Sequence, residues 1–376
     1  MRVLDFVGFG NIPGGTASQT AGASLPGTRL NNFAITYNSA AGSWSAQAVS
    51  RPDAWFSMAP VIPGSIFIAR GLDVGLQAKL ANIAPDVLNT DTGITMGIRM
   101  RHGNNGSSPD WKSSGRQLSL VHATGNVVTP LITSADWDTT ADGTIHYFEA
   151  VYNRATQSVK LYKNNGFLKE INISAQVAAN GRVVAFQFGV VCSQPSGAGA
   201  ELSVKDIYFA EFDPAVDTVQ RLGPQMSVPM PVSQVQAAWP VTVAGKTQVE
   251  SLNNYQASLT TPDATPTLLQ ISDNDAQGLI TFDSSALPAN ARVNSIQYAA
   301  DALGTASASV LQAELMNGST AEITKTQSFT QVFDYTKDAL LNNTGRVLLL
   351  RNFPTSASGN KAAVDAYKVR LKAVAS

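Results

Sequence analysis

From Gly143 the chain reads Gly-Thr-Ile-His-Tyr-Phe-Glu-Ala-Val-Tyr-Asn153, a stretch rich in β-branched and aromatic residues that strand alternation divides between two faces. Ile145, Tyr147, Glu149 and Val151 fall on one face of an extended segment, with His146, Phe148, Ala150 and Tyr152 on the other. Arg154-Ala-Thr156 turns the chain. Val159 and Leu161 continue the pattern, Asn164-Asn-Gly166 turns it again, and Phe167 to Ile173 returns. The expectation is a run of consecutive antiparallel strands.

The same reading extends over the first half of the chain, where short β-rich runs alternate with Gly, Asn, Pro and Ser clusters. It predicts strands at Arg2–Phe9, Arg29–Tyr37, Ser65–Ala69, Ile94–Arg101, Gln117–His122, Val127–Ile132, His146–Asn153, Ser158–Lys163, Phe167–Ile173, Val183–Val191 and Leu202–Phe212, with a short helix at Leu76–Ile83. Such spacing fits a β-sandwich and not βαβ units. Prolines 214, 224, 229, 231 and 240 then interrupt the pattern. Because proline cannot donate to a ladder, residues 213–240 are expected to be an ordered, proline-rich linker. Beyond it, strands are expected at Val249–Leu252, Thr267–Ile271, Gly278–Phe282, Val293–Ala300, Ser309–Met316, Ser328–Phe333, Val347–Arg351 and Val364–Val374, with a helical turn at Lys337–Asn342. The fold class is therefore all-β: two β-sandwich (jelly-roll) domains, residues 1–212 and 241–376, joined by the linker. No internal repeat or heptad pattern points to a solenoid or a coiled shaft.

Length agrees with two domains, since 376 residues exceed the usual single-domain size. Charge narrows the partners. With 26 Lys+Arg against 27 Asp+Glu, a formal net charge of −1 and no basic block, a nucleic-acid surface has no electrostatic support. Charged residues make up 14% of the chain, against about a quarter in a typical domain. A surface of Ala, Ser, Thr, Asn and Gly suits an assembled particle better than a free enzyme. The opening Met1-Arg-Val-Leu-Asp-Phe-Val-Gly-Phe-Gly10 lacks the apolar run of a signal peptide, and no run of 18 apolar residues occurs, so synthesis in the cytosol without a membrane span is expected.

Several segments offer chemistry. The loop His102-Gly-Asn-Asn-Gly-Ser-Ser-Pro-Asp-Trp111 places Asn104, Asn105 and Asp110 as hydrogen-bonding groups beside Trp111, whose ring suits a sugar's C–H face. These residues are the candidate contact to a glycan or a neighbouring subunit; an exposed hairpin loop with its Trp covering the sandwich edge is the plainer alternative. Asp136-Trp-Asp138 and Asp142 gather carboxylates that a glycosidase or a calcium site would use, yet turn and core packing account for the same residues. Ser272-Asp-Asn-Asp-Ala-Gln-Gly278 lacks the twelfth-position Glu and the flanking helices of an EF-hand. Gly8-Phe-Gly-Asn-Ile-Pro-Gly-Gly15 has no Lys-Ser/Thr behind it to cradle phosphate.

His102, His122 and His146 lack zinc spacing, the lone Cys192 ends an apolar strand, and no Gly-x-Ser-x-Gly elbow is present. No catalytic residue, metal or cofactor is expected, and the protein is expected not to be an enzyme.

Ser158-Val-Lys-Leu-Tyr-Lys-Asn-Asn-Gly166 and Val204-Lys-Asp-Ile-Tyr-Phe209 resemble the hairpin and closing strand of concanavalin-A-like (laminin G-like) jelly rolls. The opening Leu4-Asp-Phe-Val-Gly-Phe-Gly10 resembles that of tailed-bacteriophage structural proteins pairing such a jelly roll with a C-terminal β-domain. Arg221-Leu-Gly-Pro-Gln-Met226, Trp239-Pro-Val-Thr242, Leu287-Pro288, Val293–Ala300 and Gln327–Asp334 follow in that group's order. Leu340-Leu-Asn-Asn-Thr-Gly345 departs from it, standing where the group has an aromatic-rich segment.

The resemblance implies a virion component assembled in the host cytoplasm, in contact with other virion proteins and oligomeric in the particle. A tail, baseplate or collar position is preferred to a capsid decoration or head fibre, and contact with a host surface glycan is the alternative. Scattered aromatics such as Trp44, Trp55, Phe56, Trp111 and Trp239 would supply contacts repeated over many copies.

Overall fold

The computed structural model describes residues 1–7, 15–18, 31–36, 42–47, 55–60, 72–83, 87, 90–104, 115–125, 127–133, 136, 145–192, 200–226, 230–241, 244–253, 277–287, 295–301, 309–329, 346–352 and 365–374. The chain divides into two compact units at Ser227/Val228, inside the stretch expected to be linker.

The first unit comprises β1 (Arg2–Val7), β2 (Gly15–Ser18), β3 (Asn31–Thr36), β4 (Gly42–Gln47), β5 (Trp55–Pro60), β6 (Leu72–Lys79), α1 (Leu80–Ile83), β7 (Gly93–Asn104), β8 (Gly115–His122), β9 (Val128–Pro130), β10 (Ile145–Asn153), β11 (Ser158–Lys163), β12 (Gly166–Asn172), α2 (Ser174–Asn180), β13 (Val183–Cys192) and β14 (Ala200–Phe212). Among the described residues, nine strands form the larger sheet in the order β12-β11-β10-β7-β14-β5-β4-β2, with β1 also pairing β14, and five form the smaller sheet, β3-β6-β13-β8-β9. Every strand pair among the described residues is antiparallel, as expected for an all-β sandwich.

Alternation builds the core between these sheets. Ile94, Met96, Ile98 and Met100 of β7 and Phe148 and Ala150 of β10 are buried, as are Leu118 and Leu120 of β8 and Phe186 and Phe188 of β13. Phe186 and Phe209 meet across the layers with ring centroids 6.2 Å apart. The Lys163–Gly166 turn holds Asn164 and Asn165 at φ 49° and 74°, the left-handed pair that a two-residue hairpin requires and asparagine tolerates.

The helix expected at Leu76–Ile83 is corrected in its first half. Residues through Lys79 are strand, paired with β13 and β3, and helix begins only at Leu80. Leu76 and Ala78 are buried while Lys79 is exposed, a period of two that two ladders reinforce.

The second unit comprises β15 (Val232–Gln236), α3 (Gln248–Asn253), β16 (Gln277–Phe282), β17 (Ser295–Asp301), β18 (Ser309–Asn317), β19 (Thr320–Phe329), β20 (Arg346–Asn352) and β21 (Tyr367–Val374). Its sheets are β15-β16-β21-β18-β19 and the β17-β20 ladder. β15 lies within the expected linker, in a proline-free stretch free to pair with β16.

The strand expected at Val249–Leu252 is helix α3. Thr247 and Glu250 cap it reciprocally: the Thr247 N–H donates to Glu250 Oε2 at 2.7 Å, and the Glu250 N–H to Thr247 Oγ1 at 3.1 Å. Trp239 is buried on Gly278 of β16, where an added Cβ would lie 2.6 Å from the indole. The strands expected at Ser65–Ala69 and Thr267–Ile271, and the helical turn at Lys337–Asn342, lie outside the described residues.

Candidate functional site

The outer face of the larger sheet carries a connected set of charged and polar side chains. Glu149 is 1% exposed, in the middle of β10. Its Oε1 accepts from the Tyr208 hydroxyl at 2.5 Å and the Gly223 N–H at 2.8 Å, and its Oε2 from Arg221 Nη1 at 2.8 Å. Arg221 also donates to Asn165 Oδ1 at 2.7 Å, and its guanidinium lies 4.1 Å from the centre of the Tyr162 ring. These contacts strap residues 220–225 along the sheet.

Further bonds extend the strap in both directions. Thr95 Oγ1 donates to the Gln220 carbonyl, the Leu222 N–H to Tyr208 Oη at 3.0 Å, and Arg99 Nη2 to the Gln225 carbonyl at 3.1 Å. Arg99 is held in turn by Asp206, with Nε and Oδ2 2.8 Å apart. Asp206 sits at φ 52° where the β14–β7 register slips, and that bulge lets a strand residue turn its carboxylate toward Arg99.

Leu222 packs on Tyr147, Tyr208 and Ala210 beneath the strap. Gly97, opposite Glu149 in register, makes the room: a Cβ there would lie 2.1 Å from the Tyr208 ring and 2.6 Å from the Tyr147 hydroxyl. Burial above all, with Glu149 nearby, raises both phenols well above their ordinary pKa of 10.0.

Beyond the strap the same face is open over the end of β10 and over β11 and β12. Register sets the outward side chains in rows, Asn153, Ser158 and Asn172, then Val151, Lys160 and Glu170, then Glu149, Tyr162 and Phe167, of which Val151 and Glu149 are buried. A depression of about 280 Å³ is lined by members of the first two rows together with Thr156 and Gln220. Phe167, 61% exposed, meets Tyr162 edge to face at 5.7 Å.

Only some of the candidates named from sequence fall among the described residues. Asn104 ends β7, its backbone opposite Ala200, while Asn105, Asp110 and Trp111 lie outside the described residues. Asp136 forms a turn in which the Thr133 N–H donates to Oδ2 at 2.7 Å, and Lys169 Nζ is 2.6 Å from the same oxygen. Burial opposes ionisation of Asp136, but Lys169 and Thr133 together outweigh it and hold its pKa below the ordinary carboxylate value. Trp137, Asp138, Asp142, Asp273 and Asp275 are outside the described residues, and Gly278 is a strand residue.

His122 is buried, with Nδ1 3.0 Å from the Gly181 carbonyl and Nε2 2.9 Å from Thr129 Oγ1, so both ring nitrogens serve the fold. His146 Nδ1 lies 3.2 Å from Asn164 Nδ2. Cys192 closes β13 opposite Leu72. Among the described residues, no group of His, Cys, Asp and Glu could hold a metal ion, and no helix is long and apolar enough to cross a membrane. Sequence reasoning passed over Glu149, although a carboxylate amid Tyr147, Phe148, Ala150 and Val151 is itself the signal of a buried, partnered charge.

No family model and no curated protein matches the chain. Similar solved structures include arcelin-5, a lectin-like defense protein from Phaseolus vulgaris, at 8% identity and TM-score 0.31, covering 52% of this chain and 98% of that one. Lectin II from Ulex europaeus is similar at 9% identity and TM-score 0.31, with 52% and 97% covered. A sialidase is similar at 10% identity and TM-score 0.27, over 51% of this chain and only 19% of its own.

Proposed function

We propose that this protein is a non-enzymatic structural component of a tailed-phage virion, in the tail, baseplate or collar, where it joins subunits or fibres. One observation carries the non-enzymatic reading: the buried carboxylate of the outer sheet face is consumed by the chain's own strap. Both oxygens of Glu149 accept protein donors. A carboxylate so engaged is part of the scaffold, whereas a general acid or nucleophile must be open to substrate.

The sparse charge and neutral polar surface support repeated subunit contacts, and the resemblance in sequence order supports the particle. The other virion proteins are then its partners, and copies of it assemble with them in the host cytoplasm. Mass spectrometry and electron microscopy of purified particles should find the polypeptide at a defined site. Its absence from finished particles, or turnover of a polysaccharide by the purified chain, overturns the proposal.

A second reading, a glycan-contact module facing the host, is favoured by the open polar rows over β10–β12. Fold alone does not confer such binding, so it stands on those side chains.

A further inference from the structure

We infer that the open face over β10, β11 and β12 is a binding site for one or two residues of a neutral glycan. This deepens the glycan-contact reading and rests on it, but not on residence in a particle, and it assigns the contact to residues other than Asn104, Asn105, Asp110 and Trp111. The argument begins with two asparagines whose side chains are already held. Asn153 Oδ1 accepts the N–H groups of Ala155 at 3.0 Å and Thr156 at 3.3 Å. Asn172 Oδ1 accepts the Ser174 N–H at 2.9 Å and its hydroxyl at 2.6 Å. Each carbonyl end is committed to its own turn, which leaves the Nδ2 amide as the donor each side chain offers.

Asn153 and Asn172 flank Ser158 directly across the strands, so pre-oriented amides and a hydroxyl stand in a line. Pre-orientation matters because a sugar hydroxyl bound by a mobile side chain pays for its ordering. In the next row Lys160 opposes Glu170, a cation and an anion that between them donate to and accept from neighbouring hydroxyls and add no net charge. A phosphate or a uronate would meet Glu170 as well as Lys160, so the face favours an uncharged ligand. Gln220 of the strap closes one side, and the exposed Phe167 ring beyond offers an apolar surface for C–H groups. At about 280 Å³ the depression falls just below the range of small-molecule sites, about 300–1,000 Å³, which suits a short saccharide.

The test compares the full chain with Asn153→Asp/Asn172→Asp. Aspartate keeps the oxygen that each turn needs and removes the amide donor, so the melting temperature should hold while binding falls. Binding is read on an array of neutral and acidic oligosaccharides, and by saturation-transfer NMR with lactose, maltotriose and diacetylchitobiose. The expected result is millimolar or tighter binding of a neutral glycan, weakened about tenfold or more by the double variant, as the loss of two hydrogen bonds implies. Phe167→Ala should weaken binding without unfolding the protein. Neutral binding that the double variant leaves intact refutes this site but spares the glycan reading. Absence of binding to any neutral probe refutes both, and binding confined to acidic glycans refutes the ligand class.

Discussion

Over β7, β14 and the middle of β10 the outer face of the larger sheet is closed by residues 220–225, whereas over the end of β10 and over β11 and β12 the same face lies open. The closed part holds Glu149, Asp206 and Arg99, each committed to a partner across the sheet or in the strap. The open part holds Ser158, Lys160, Glu170 and Asn172, whose polar ends reach solvent or the adjoining turn. The contrast follows from desolvation. A charge removed from water must be neutralised by a fixed partner, while an exposed polar group keeps its hydration and remains available to a ligand.

The largest effect that would break this contrast is expected at Glu149. Glu149→Ala leaves the Tyr208 hydroxyl and the Gly223 N–H without their acceptor and Arg221 without its carboxylate, and should cost about 3–5 kcal/mol in denaturant unfolding. A loss below about 1 kcal/mol would mean the strap is not anchored there. Next comes Gly97→Ala, whose methyl must displace the Tyr208 ring and should cost about 1–3 kcal/mol by overpacking. Calorimetry checks it, and an unchanged melting temperature would show that the strap lifts freely.

Alkaline pH sharpens the comparison without mutation. Tyr147 and Tyr208 titrate higher in the folded chain than at the ordinary 10.0, so the folded state holds their protons more tightly. Their contribution is whole below about pH 10 and fades as pH rises beyond it, because the unfolded chain ionises first. Spectrophotometric titration should show these phenols ionising only as structure is lost. The smallest effect belongs to the open part: Lys160→Ala or Glu170→Ala should change stability by at most about 1 kcal/mol, as for exposed pairs. A larger loss would mean that the open rows, too, are part of the scaffold.

Much of the fold was legible because its signals are local. Alternation and the Asn164-Asn165 turn located β10, β11 and β12 to within a residue or so, and the faces of β10 divided as expected for Glu149 and Phe148. Where local signals conflict, the reading failed. Leu76-Gln-Ala-Lys79 carries good helix formers, yet two flanking ladders make it strand. Thr247-Gln-Val-Glu250 carries a capping box that the β-branched Val249 obscured. β4 and β5 escaped notice because Gly42-Ser-Trp-Ser-Ala-Gln47 and Trp55-Phe-Ser-Met-Ala-Pro60 mix aromatics with weak strand formers and become ladders only through their neighbours.

By itself, then, the sequence determined an antiparallel all-β chain, its hairpins, the side chains each strand turns toward a core, and a surface poor in charge. Those properties depend on residues a few positions apart, so the local backbone decides them. Only the tertiary structure decided that Glu149 anchors Arg221, a residue 72 positions away, and that Gly97 makes room for the tyrosines beneath the strap. Pairings of that range depend on strand order, and strand order is settled by burying the whole core at once.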